Sequence, residues 1–196
     1  MGSEFLRSLR PAAVLLLLFT LLLGLAYPAL VTGVAQVAMP VQANGSLIRD
    51  GDRIVGSELI AQAFASPRYF QPRPSAAGDG YDASASAATN LAPCSKDLRD
   101  AIAGRIDAAR AGGASEAVPA DLVSTSASGL DPDLSPAAAL LQVPRVARAR
   151  GLGEAQLRAL VERSIQSPLL GTIGEPRVNV LLLNRQLDRI APNLTR

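Results

Sequence analysis

The 196-residue sequence contains no histidine and no tryptophan, one cysteine (Cys94) and one lysine (Lys96). Without histidine, the commonest general base and the commonest metal ligand are both missing. A lone cysteine can build neither an internal disulfide nor a thiolate metal site, and Cys94 reads first as a small buried residue, with a reactive thiol as the second reading. Aromatics make up only 4% of the chain, and none follows Tyr81. That excludes the stacking platforms of single-stranded nucleic-acid binders, so no nucleic-acid partner is expected. The net charge of +2 is small and the arginines are interspersed with acids, so the basic pI of about 9.1 points to no anionic partner.

No charged residue stands between Arg10 and Arg49. The apolar block Pro11–Met39 exceeds the roughly 20 residues that span a bilayer as a helix. It is also longer than the apolar region of a secretory signal, and "LAYPA" is a poor cleavage site. We therefore expect one transmembrane helix over residues 12–37. Residues 1–11 form a cytoplasmic N-terminus, because Arg7 and Arg10 are unopposed while Arg49 and Arg53 are offset by Asp50 and Asp52. Residues 38–196 are then an extracytoplasmic domain. Pro28 should kink the span near Gly24–Pro28. Thr32, Gly33 and Gln36 suit contact with another subunit in the membrane better than contact with lipid alone.

Beyond the span, "SLIRDGDRIVGS" (Ser46–Ser57) reads as a β-hairpin around Asp50-Gly51. "SELIAQAF" (Ser57–Phe64) reads as a short helix capped by Ser57. Residues 66–93 have no period and form a long loop, the kind of segment that carries a contact surface. Leu98, Ile102 and Ile106 predict a helix stopped by Gly112-Gly113, and Asp121–Ser126 is strand-like. Ser135-Pro136 starts a helix that breaks near Pro144. Leu157, Val161 and Ile165 mark another helix. Arg177–Asn184 reads as a buried strand, followed by a short helix carrying Leu187 and Ile190. The fold class is α+β: one N-terminal transmembrane helix followed by a single soluble mixed domain.

Candidate chemistry is sparse. Asp131 and Asp133 in "SASGLDPDLSP" could act as paired carboxylates or cation ligands, but a Ca²⁺ loop needs more regularly spaced oxygens. A turn fits better, with Asp131 bonding its own backbone and Ser135 capping the next helix. "SASG" lacks the Gly and Lys-Ser/Thr frame of a P-loop, and no Asp-Lys-Thr-Gly or G-x-S-x-G motif occurs. A Ser–Lys catalyst would have only Ser95 and Lys96. No catalytic or metal-binding residue is expected.

Five segments together are similar to one family: "YPALVTGVAQVAMPVQANGSLI", "VGSELIAQAF", "YFQPRPSAAG", "DLVSTSASGLDPDLSPAAALLQVPRVARARG" and "GEPRVNVLLLNRQLD". They resemble the KdpC family of the bacterial Kdp potassium-transporting ATPase. The resemblance implies an accessory subunit of the inner membrane that is not itself an enzyme. Its implied partners are a channel-like potassium-binding subunit, an ATP-hydrolysing P-type ATPase subunit and a small single-span subunit. It also implies a catalytic chaperone that raises the ATP affinity of the ATPase subunit. Nucleotide contact then falls to Gln142, after the S-x-S-G segment of Ser126, Ser128 and Gly129. The chain would hold no cofactor of its own, only ATP shared with the ATPase subunit. Ala87-Ala88 and Cys94-Ser95-Lys96 depart from the family pattern. An extracytoplasmic domain conflicts with ATP contact, which leaves an outer-face brace on the channel-like subunit as the alternative. Outside the family, an anchored adhesin or assembly factor remains.

Overall fold

The computed structural model describes residues 2–114 and 117–191. The chain divides into two compact units, Met1–Leu47 and Ile48–Arg196.

The first unit is helical: α1 (Gly2–Leu21), a π-helical turn (Leu22–Ala26), α2 (Tyr27–Ala38) and the short α3 (Pro40–Ala43). The π turn lies where the proline predicts a disturbance. Pro28 has no N–H for the carbonyl four residues earlier, and the Tyr27 N–H reaches one residue further back, to Leu22 O. Residues Arg7–Ala38 form a helix long and apolar enough to cross a membrane, with a mean hydropathy of 2.5. Leu16, Leu25 and Leu30 are all exposed, as suits a helix whose surroundings are hydrocarbon.

The second unit opens with the hairpin β1 (Leu47–Asp50) and β2 (Arg53–Ser57), turned at Gly51, whose φ is +58°. No helix follows. Ser57 ends β2, and its Oγ accepts the Leu59 N–H at 3.1 Å, a local turn that competes with helix capping. The Ala61 N–H is then drawn to Leu130 O at 2.9 Å. The aperiodic stretch runs to α4 (Lys96–Ala111), which Ser95 caps through the Leu98 N–H and which ends at Gly112 before Gly113, at φ +102°. Cys94, expected inside, is exposed, because it lies on this connection before α4 and outside the core.

Two expected strands are helices instead. Residues Ala120–Val123 form α5, followed by Ser124, whose Oγ and N–H both return to Ala120 O. In "RVNVLLLN" the strand is confined to Val178–Asn179, β4, antiparallel to β3 (Asp133–Leu134) with Leu134 opposite Val178, and Arg177 before it forms a single bridge to Gln166. Asn179 then caps α9 (Val180–Ile190) by accepting the Leu182 N–H at 3.1 Å. A continuous apolar run fits a buried strand or a buried helix equally well, and the cap decides between them. Val180, Leu183, Asn184 and Leu187 consequently share one buried face.

The remaining helices are α6 (Pro136–Leu141), α7 (Val143–Arg150) and α8 (Glu154–Arg163). The break between α6 and α7 falls at Gln142, just before Pro144. Their inner faces and α9 surround Phe70, Val143, Val146, Leu157, Val161 and Leu183, all at 0% exposure. Each such side chain contributes about 1.5–3 kcal/mol by burial. Ile165 lies beyond the end of α8 yet still packs on this core.

Candidate functional site

Phe70, the only fully buried aromatic among the described residues, comes from the aperiodic stretch, so a loop without secondary structure is part of the interior. Its backbone polar groups must find partners there. They find side-chain amides. Asn184, 1% exposed on α9, accepts the Phe70 N–H at 2.9 Å and donates to Phe70 O at 2.8 Å. Gln142, at the α6–α7 junction, does the same for the next residue: its Oε1 accepts the Gln71 N–H at 2.9 Å and its Nε2 donates to Gln71 O at 3.0 Å. Two carboxamides thus replace the ladder bonds of a missing neighbouring strand.

Two arginines of α7 close the same loop. Arg145 donates to Pro67 O, Tyr69 O and Gln142 Oε1, at 2.7, 3.1 and 2.6 Å. Burial lowers its pKa, but a guanidinium stays charged throughout the physiological range. Arg150, whose side chain is fully buried, donates to Arg68 O, Ala191 O and Asp188 Oδ1, each at 2.7–2.8 Å. It also lies 4.6 Å over the Tyr69 ring, whose hydroxyl donates to Asp188 Oδ2 at 3.0 Å. Residues Pro67–Gln71 are therefore fixed from α7, α9 and the α6–α7 junction at once.

A cleft of about 490 Å³ lies beside this clamp, lined by Phe64, Gln71, Tyr81, Arg105, Gln142 and Arg145 among others. Arg105 already donates to Val123 O at 2.7 Å, and Tyr81 OH to Arg73 O at 2.9 Å. Burial raises the Tyr81 pKa, against an opposing pull from Arg105. The Gln142 oxygen in this cleft is already shared between the Gln71 N–H and Arg145.

The S-x-S-G segment does not line that cleft. Ser126 is buried with its Oγ unpaired, and Ser128 O accepts the Ala87 N–H at 3.1 Å and Ser86 Oγ at 2.9 Å. Gly129 sits at φ +68°, and a Cβ there would lie 2.7 Å from Ala77 N and 2.8 Å from Ala87 O. Only glycine allows this approach. Asp131 Oδ1 accepts the Asp133 N–H at 3.1 Å across Pro132, and its Oδ2 meets Arg73 at 2.9 Å. Ser135 Oγ accepts the Ala138 N–H at 3.1 Å. Asp133 is pushed up by burial, opposed by Arg177 and Asn179 and assisted by Asp131 and Glu58. Among the described residues, no group of three or more acidic or cysteine side chains could hold a metal ion.

In the first unit, Gln36 and Asn44 exchange amide bonds of 3.1 and 3.5 Å, and Asn44 also donates to Pro40 O. Open space surrounds the position a Cβ on Gly33 would take.

Sequence reasoning missed Asn184, Arg145, Arg150 and Arg73. Asn184 carried a usable signal, a carboxamide four residues from Val180 on the apolar face of a helix, which the strand reading concealed. The arginines carried none, because most of their acceptors, backbone carbonyls together with the Asp131 and Asp188 carboxylates, are distant in sequence.

Comparison with known proteins adds identity to this geometry. The family model described as KdpC, the c chain of K+-transporting ATPase, matches residues 9–189. The chain belongs to the KdpC family. It is 59% identical to a potassium-transporting ATPase KdpC subunit of Caulobacter vibrioides over 190 residues, covering 96% of each chain. It is 54% identical to the Rhodospirillum rubrum KdpC subunit over 189 residues, 95% of this chain and 98% of that one. A KdpC chain is a subunit of a potassium-transporting ATPase, which belongs in a membrane, and the long apolar helix accords with that location.

Proposed function

We propose that this KdpC chain is a non-catalytic brace of the potassium-transporting ATPase. Its N-terminus is cytoplasmic, residues 12–37 cross the membrane, and residues 38–196 lie outside, against the channel-like potassium-binding subunit. The assembly is completed by the ATP-hydrolysing subunit and a small single-span subunit. The carrying observation is that the groups assigned to nucleotide by resemblance, apart from the buried and unpaired Ser126 hydroxyl, are engaged in holding the domain together. The Gln142 amide pairs with the Gln71 backbone, and Ser128 and Gly129 hold the segment around Ala77 and Ala87. Such a fixed irregular surface is suited to contact with another protein.

A second reading, a chaperone that raises ATP affinity, draws on the cleft beside Gln142 with Arg105 and Arg145 on its wall. The two readings separate in one experiment. The tagged full chain, extracted in mild detergent, should retrieve the potassium-binding and ATPase subunits, while the chain alone binds no ATP and a C-terminal alkaline phosphatase fusion is active. Failure to retrieve either subunit overturns the brace. ATP binding by the complete complex that is weakened by Arg105→Ala, with assembly intact, favours the chaperone.

A further inference from the structure

Between α8 and β4 the chain forms an arm whose base is closed by Gln166 and Arg177, N–H to O in both directions at 2.8 and 3.1 Å. Further out, Leu169 and Ile173 pair the same way, both at 3.0 Å, around a tip at Leu170-Gly171-Thr172. Arg177 Nε fixes the base to Asp133 Oδ2 at 3.1 Å and to Gln166 Oε1 at 3.2 Å. This ordered arm presents its largest apolar side chains outward: Leu169 is 67% exposed, Leu170 84% and Ile173 60%. Other exposed large apolar residues of the second unit, such as Ile54, Leu59 and Ile190, are single residues on separate elements. Apolar side chains grouped on a tethered tip mark an interaction site.

Leu170 also holds φ +54°, a left-handed conformation costly for a branched side chain, although Gly171 stands next to it. A fluid lipid surface accepts a leucine from any direction, so a fixed and strained aim gains nothing there. A shaped notch does reward it. Residues 165–174 contain no charge and no aromatic, whereas side chains that settle at a bilayer surface are typically Trp, Tyr, Lys and Arg. An uncharged tip calls for an uncharged, apolar recess. Membership in a family of transport-ATPase subunits supplies protein surfaces on which such a recess can lie.

We propose that the Gln166–Arg177 arm is a docking finger, with Leu169, Leu170 and Ile173 entering an apolar notch on the channel-like potassium-binding subunit, against which the brace reading places this domain. This rests on the brace reading above and says where the brace grips. The test uses the full chain co-expressed with the rest of the complex. In the triple variant Leu169→Ser, Leu170→Ser, Ile173→Ser, co-purification in mild detergent should fall about tenfold or more, as expected for loss of buried leucines from an interface. The chain's own melting temperature should be unchanged, because none of the three side chains is buried. A benzophenone amino acid at position 170 should cross-link on irradiation to the potassium-binding subunit, and one at position 59 should not. Wild-type retrieval by the triple variant, or cross-linking at position 170 only to lipid or to a different subunit, overturns the finger while leaving the brace standing. If the wild-type chain itself retrieves no subunit, the brace fails and the finger with it.

Discussion

Residues 61–93 and residues 136–190 fold side by side by opposite means. The second stretch hydrogen-bonds mainly to itself, through α6 to α9 and their caps. The first has no helix or strand, yet it places Phe70 in the centre of the core. Its backbone groups are met by Asn184, Gln142, Arg145 and Arg150 from the helical stretch. Irregular backbone can therefore be as fixed as a strand when side chains provide what the neighbouring strand would have given.

The comparison breaks most directly at Asn184. Asn184→Ala leaves the Phe70 N–H and C=O buried without partners, which should cost roughly 3–5 kcal/mol. Denaturant unfolding of the full chain in detergent measures it. A loss below about 1 kcal/mol would mean that water or another group replaces the amide.

Gly129→Ala tests the same principle where the loop meets the S-x-S-G segment. The new methyl would press on Ala77 N and Ala87 O at an unfavourable φ, and a loss of about 2–3 kcal/mol is expected. The Asp131 pair of variants is gentler. Asp131→Ala removes the acceptor for the Asp133 N–H as well as the Arg73 partner, for about 1–2 kcal/mol. Asp131→Asn keeps an acceptor and should lose about half as much, because the Arg73 pair is partly exposed and worth little. Equal damage from both substitutions would point to a role for the charge itself.

The smallest effect concerns pH. Burial raises the Asp133 pKa, so the folded state holds its proton more tightly than the unfolded state. Its contribution to stability grows as pH falls through the raised folded value, and above that value the buried carboxylate is a burden. Asp133→Asn should leave stability at pH 7 level or slightly higher. It should also flatten the pH profile between the ordinary aspartate value and the raised one. A steeper profile in the variant would contradict this assignment.

Much of the architecture was legible in the sequence because it is local. The apolar helix, the disturbance before Pro28, the turn at Gly51, the Ser135 cap and the break just before Pro144 each depend on neighbouring residues. The errors arose where local patterns are ambiguous. Ser57 serves a turn as readily as a helix cap, and "VNVLLLN" suits two kinds of buried element until Asn179 caps one of them. The clamp was illegible for a different reason. Gln71 and Gln142 are 71 residues apart and Phe70 and Asn184 are 114 apart, and no spacing rule links a loop backbone to a distant amide.

The brace account depends most on what Gln142 is for, and one variant measures it. In the assembled complex, Gln142→Ala should unseat Gln71 and Arg145, lowering the melting temperature and the yield of complex. The ATP concentration for half-maximal hydrolysis by the complex that survives should equal that of the wild type. A normal yield and melt together with a raised ATP requirement would contradict the account and make Gln142 a nucleotide contact.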